Sequence, residues 1–201
     1  MKKLVLAIGL VFGASSLAGC QFIDKFMSDA EMTFKGKTMT IQSYDDDANI
    51  VDKVEGTSIS IAPDSKFAKT NSNGETTKDS SVINYTVGGK QMLAVGSSTI
   101  VAEKGLTNLL DDYLKEINVE NSDRSVPFVN RMVNSWKNTT TGKAMTVVIR
   151  NQTGKPIGVF TGDRVSYYAS DVDKATEFLI DGKMLFVYRC NMSVYETALL
   201  K

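Results

Sequence analysis

Histidine is absent from all 201 residues. That single absence removes Ser-His-Asp and Cys-His nucleophile activation, His-ligated zinc and the commonest general base together. Cysteine occurs only twice, at Cys20 and Cys190, and proline only three times. Neither charge is in excess, with 23 Lys and Arg against 23 Asp and Glu, so no basic field exists to attract nucleic acid. Phosphate cradles are missing as well: "VGGK" (87–90) and "TTGK" (140–143) lack P-loop spacing. No Ser-x-x-Lys occurs, which removes the penicillin-binding pattern. The longest apolar run, Leu4 to Ala18, falls short of the roughly 20 residues that a membrane-spanning helix needs.

What is present begins with that run. Lys2 and Lys3 precede it, and Leu17-Ala18-Gly19-Cys20 follows, the order of an export signal ending at a small-residue cleavage site. The "LAGC" spelling resembles a bacterial lipobox. It implies a signal peptide over 1–19, a diacylglyceryl group on the thiol of Cys20, and a mature chain of 20–201. Two acyl chains give stable anchoring where one gives only marginal binding, so the folded domain needs no membrane-binding surface of its own. Without Lys2 and Lys3 the basic side chains number 21 against 23 acidic, a net charge of −2, and no polybasic stripe assists the anchor. With Cys20 lipidated, Cys190 has no partner for a disulfide, and stability rests on packed apolar side chains.

Residues 20–30 read as the lipidated cysteine and a tether, and 31–201 as a single α+β domain. From 31 to 62 apolar and polar residues alternate in four short stretches separated by Gly or Asp, the pattern of an antiparallel meander with one solvated side. A polar segment, about 63–80, is expected to be a mobile surface loop. "SVINYTVGGKQMLAVG" turns at Gly88-Gly89 as a hairpin, and "STIVAEKG" adds a short strand. The spacing of Leu106, Leu109, Leu110, Tyr113, Leu114 and Ile117 predicts an amphipathic helix, and a second helix is predicted from Pro127 through Trp136 to a stop near Gly142. Strands return from 143, with "NQTGKP" as a turn and Asp181-Gly182 as a two-residue hairpin turn. Ser193 and Glu196 fit a capping box, which predicts a short C-terminal helix. The expected fold class is therefore α+β, with two main helices packed on one face of the antiparallel sheet or sheets.

Candidate chemistry is sparse. "DDDAN" (45–49) places Asp45, Asp47 and Asn49 at the first, third and fifth positions of an EF-hand loop, but Ile50 and Gly56 stand where Gly and Glu are required. "DVDKA" (171–175) fails at Thr176 and Gly182, and both segments read as Asx turns. Asp111, Asp112 and Glu116 fall on the solvated face of the first predicted helix, where no useful pKa develops. The methionines are scattered through strand and helix core positions, as gap-fillers rather than soft-metal ligands. Cys190 in "FVYRCNM" reads as a small buried hydrophobe. No catalytic residue, cofactor or metal site is expected.

The stretches "KTMTIQSYDDDANIVDKVEGTSISI" (37–61), "TVVIRNQTGKPIGVFTGDRVSYY" (146–168) and "FLIDGK" (178–183) resemble a family of small lipoproteins of low-GC Gram-positive bacteria, catalogued as a domain of unknown function. The resemblance covers about 31–200 and implies a lipoprotein on the outer leaflet of the cell membrane, facing the wall. It supplies no catalytic residues. The expectation is thus a lipid-anchored cell-surface protein with a non-enzymatic binding role. Its partners would be the membrane through Cys20 and an envelope protein or cell-wall component. An Asp/Glu-dependent envelope hydrolase and a small-ligand carrier are the alternatives.

Overall fold

The structure, a computed structural model, describes residues 32–78, 80–111 and 144–200. The expected signal peptide, lipidated Cys20 and tether lie outside the described residues, as do the second predicted helix and residues 112–117 of the first.

The alternating segment folds as two long strands instead of four short ones: β1 (Met32–Tyr44) and β2 (Ile50–Pro63), paired antiparallel from Met32↔Ile61 to Tyr44↔Ile50. The glycines that suggested breaks sit inside the strands. Gly36 occupies a register shift with φ 73°, a conformation glycine adopts without cost, and Gly56 pairs with Met39. After a 3-10 turn at Ser65–Phe67 comes a small hairpin, β3 (Lys69–Thr70) and β4 (Thr76–Lys78). Then follow β5 (Val82–Val87), β6 (Lys90–Val95), β7 (Ser98–Glu103), β8 (Met145–Arg150), β9 (Pro156–Gly162), β10 (Val165–Ala169), β11 (Ala175–Ile180), β12 (Lys183–Tyr188) and β13 (Asn191–Glu196). Both two-residue hairpins form as the sequence predicts. Gly88 and Gly89 have φ of 54° and 80°, and Asp181 and Gly182 have 48° and 80°, the doubly positive geometry of a type I′ turn.

Eight strands make one antiparallel sheet in the order β10-β11-β12-β7-β1-β2-β5-β6, and three make a second, β13-β8-β9. One face of the large sheet gathers Met39 and Ile41 of β1, Ile59 and Ile61 of β2, Ile83 and Tyr85 of β5, Val101 of β7, and Met184, Phe186 and Tyr188 of β12. The Tyr188 hydroxyl on β12 donates to Ser81 O beside β5 at 3.1 Å, across four strand spacings, so the sheet curves around its own core. The opposite face of β7, β11 and β12 presents Ile100, Phe178, Ile180, Leu185 and Val187 to Val147, Ile149, Ile157 and Phe160 of the small sheet. Close approach is built into Gly158 of β9, where a Cβ would lie 2.9 Å from Cδ1 of Ile100 and 3.0 Å from Cε2 of Phe160. The far face of the small sheet, Val148 and Val159, is covered by Leu109, Leu110 and Leu200.

The α+β expectation, with two main helices packed on one face, is therefore corrected: the described residues are almost entirely antiparallel β, and the layer facing the large sheet is a second sheet. The physical reason lies in β8, β9 and β12. Their runs "TVVI", "IGVF" and "MLFVY" are apolar on both faces, and such strands require a covering layer on each side. Of the first predicted helix, Leu109–Asp111 are helical; Asn108 begins it, its Oδ1 accepting from the amides of Leu110 (3.2 Å) and Val159 (2.8 Å). The predicted C-terminal helix is also corrected. Residues 191–196 pair with β8 from Asn191↔Arg150 to Glu196↔Met145, Ser193 Oγ accepts from Arg150, and only a 3-10 turn, Thr197–Leu199, follows. Six ladder pairs outweigh one capping box.

The segment read as a loop is a 3-10 turn and an exposed hairpin without buried apolar side chains. Deleting residues 69–78 is expected to change the unfolding free energy by no more than about 0.5 kcal/mol, measured by urea denaturation. A large loss would mean that the hairpin carries part of the core.

Candidate functional site between the two sheets

Asn151 opens the "NQTGKP" turn and is 1% exposed. A buried amide has four bonding positions to satisfy. Its Nδ2 donates to the carbonyl oxygens of Asp45 (3.0 Å) and Asp46 (2.9 Å), and its Oδ1 accepts from the Lys155 amide at 2.8 Å. The Thr153 hydroxyl lies 2.8 Å from Asp46 O and 2.9 Å from Asn151 Oδ1, and donates its one proton to either. Lys155 pairs with Asp47 across the same junction. The turn of the small sheet is thereby locked onto the β1–β2 turn of the large one.

The "DDDAN" segment is the other half of that junction. Asp45 Oδ1 accepts from the amides of Asp47 (2.9 Å) and Asn49 (2.8 Å), and Oδ2 from Asn49 Nδ2 at 2.9 Å. The bond from Asn49, foremost among several donors, holds the Asp45 carboxyl below its usual pKa. This is an Asx turn, with the carboxylate committed to its own backbone. Among the described residues no three carboxylate or thiol groups converge as a metal site.

Beside this junction is an open cleft of about 410 Å³, lined by Gln152, Lys174, Thr176, Arg189, Cys190 and Asn191, with Ala175, Val187 and Met192 as its apolar part. Its position follows from strand register. The two-residue turn at Asp181-Gly182 pairs β11 with β12 from Ile180↔Lys183 to Ala175↔Tyr188. One step further the Arg189 amide donates to Lys174 O at 2.9 Å, so two cationic residues stand opposite each other where the hairpin opens. Both adopt the left-handed backbone conformation, with φ of 61° at Lys174 and 51° at Arg189, uncommon for residues other than glycine. Gln152 reaches in from the facing sheet, its Oε1 accepting from Arg189 Nη2 at 3.1 Å and its Nε2 donating to Gly96 O at 3.0 Å. Asn191 Nδ2 donates to Asn151 O at 3.1 Å, closing the ring of loops.

Cys190 also lines the cleft. Its Sγ lies 3.2 Å from Tyr188 O, and burial pushes the thiol up to about 12, so it remains protonated and unreactive at neutral pH. The sequence reading of a buried side chain is met in part: Cys190 is partly buried, packed on the core between the two sheets, and lines the cleft. Elsewhere, Asp111 is exposed and bonded by Asn108 Nδ2, while Asp112 and Glu116 lie outside the described residues. Met39 and Met184 are core residues; Met192 is 39% exposed at the cleft rim. Cys20, the sole predicted site residue, also lies outside the described residues.

Sequence reasoning passed over Lys174, Arg189 and Gln152. A usable signal existed, because Lys174 and Arg189 are equidistant from the Asp181-Gly182 turn, and a two-residue turn fixes which residues oppose each other.

No curated protein and no solved structure matches the chain. The family model described as Domain of unknown function (DUF5052) matches residues 2–200; spanned over nearly its whole length, the chain belongs to that family.

Proposed function

We propose that this protein is a lipid-anchored bacterial cell-surface lipoprotein with a non-enzymatic binding role, held at the outer leaflet of the membrane by a diacylglyceryl thioether on Cys20. One observation carries the reading: Leu17-Ala18-Gly19-Cys20 follows a Lys pair and an apolar run of export-signal length. The two acyl chains supply the membrane affinity, at about 0.8 kcal/mol per buried CH₂. The folded domain is then free to present its loops to the envelope, and the partner would be an envelope protein or wall component. The cleft beside Asn151, within the volume range of small-ligand sites, is where binding would be centred. An Asp/Glu-dependent hydrolase needs two carboxylates facing one cleft. Among the described residues Glu177 is the one buried carboxylate, and it does not line this cleft.

Replacing Cys20 by serine in a bacterial host is expected to abolish lipid labelling and to leave the chain either unprocessed or outside the membrane fraction. Labelling and membrane retention equal to those of the parent chain would overturn the anchor.

A further inference from the structure

We infer that the cleft between the open end of the β11–β12 hairpin and the 151–155 turn is an oxyanion site, taking a carboxylate or phosphate group of a small ligand on Arg189 and Lys174. The inference deepens the binding role proposed above and is independent of the lipid on Cys20.

Three observations converge on it. The first is the juxtaposition of like charges. Lys174 and Arg189 are linked across the hairpin by the Arg189 N–H to Lys174 O bond and line the same cleft. Two cationic side chains on one cleft raise its positive potential, which an anion entering the cleft offsets. The second is the backbone. Both residues hold positive φ, backbone strain that persists only where the surrounding structure over-determines it. The third is the lack of a carboxylate partner. Among the described residues no salt bridge joins a carboxylate to Arg189, whose side chain bonds Gln152 Oε1 through Nη2 and the neighbouring Tyr188 hydroxyl. A guanidinium carries five N–H donors in a planar fork suited to a carboxylate or phosphate. Among the described residues Lys174 pairs with Asp173 at 3.7 Å, with both side chains more than half exposed, and such a pair is weak.

The cleft also explains the roles of its other polar members. Gln152, anchored on Gly96 O by its amide nitrogen, holds the guanidinium plane from the facing sheet, and so acts as a positioning residue. Thr176 adds a hydroxyl at the β11 side. Ala175, Val187 and Met192 give an apolar wall against which the uncharged part of a ligand packs.

The test is thermal denaturation and isothermal titration of the full chain in detergent, with inorganic phosphate, with succinate, and with sodium chloride at matched ionic strength. Phosphate, succinate or both are expected to raise the melting temperature beyond the chloride control; which of them acts identifies the preferred oxyanion. Arg189→Gln is expected to weaken binding about tenfold or more, the loss typical of one bidentate charged contact. Lys174→Gln weakens it less, and Lys53→Gln, on an exposed stretch of β2, leaves it unchanged. A second readout separates a site from a merely structural arginine: the rise in melting temperature that phosphate or succinate gives over chloride is lost in Arg189→Gln, whatever its melting temperature in chloride alone. Equal melting of the parent in all three salts, or an Arg189→Gln variant that binds phosphate or succinate as the parent does, overturns the proposal. The same measurements on Cys20→Ser protein give the same result if the site exists, so failure of the anchor and failure of the site are distinguishable.

Discussion

Replacing Phe186 by alanine is expected to lower the unfolding free energy by about 3–5 kcal/mol and the melting temperature by roughly 6–20 °C for a chain of this size. Phe186 is fully buried on β12, flanked by Glu177 of β11 on one side and Val101 of β7 on the other. Its ring belongs to the core formed by Phe34, Met39, Ile41, Tyr85 and Tyr188. Because β12 is hydrogen-bonded along both edges and covered on both faces, the backbone cannot sink into the vacated volume, which places the cost high in the range for such truncations. Urea denaturation monitored by circular dichroism checks it. Phe67→Ala is the matched control: that ring is 57% exposed, and its loss should change stability by no more than about 0.5 kcal/mol. Equal effects from the two substitutions would contradict the placement of the core.

The second large effect is expected at a polar residue. Asn151→Ala should cost about 2–4 kcal/mol, because it strips two donors from the carbonyls of Asp45 and Asp46 and an acceptor from the Lys155 amide. Asn151→Asp is the more telling variant. It has the size of asparagine and keeps the acceptor, but it cannot donate, and it sets a carboxylate against two carbonyl oxygens in a buried site. It should be at least as destabilising as alanine. If aspartate instead restored parental stability in urea denaturation, the side-chain bonds to the β1–β2 turn would not be what joins the sheets at this end.

Much of the architecture follows from local chemistry. Gly88-Gly89 and Asp181-Gly182 announce their hairpins because few dipeptides accept two successive positive φ values, and alternation along β1 and β2 names the core side chains Met39, Ile41, Ile59 and Ile61 directly. What misleads is contrast. The heptad-like spacing at 106–117 is vivid, whereas "TVVI" and "IGVF" are plain apolar runs that pack equally well beneath a helix or another strand, so the second sheet is hidden behind an expectation of helices. Ser193 and Glu196 mislead for a related reason: a cap is a local preference, and pairing with β8 is a tertiary one. The cleft divides in the same way. Lys174 opposite Arg189 is fixed by a turn within the hairpin itself, but the Asn151 bonds span about a hundred residues, and no local pattern encodes them.

The position of β7 at the middle of the large sheet bears on how the chain acquires its shape. Its neighbours are β1 on one side and β12 on the other, and the bond from the Met184 amide to Glu103 joins positions 81 apart. Closing so long a loop delays the decisive contacts, and topologies of this kind fold in milliseconds to seconds rather than microseconds. The β12-side edge of β7 is therefore paired only by a strand made about eighty positions later.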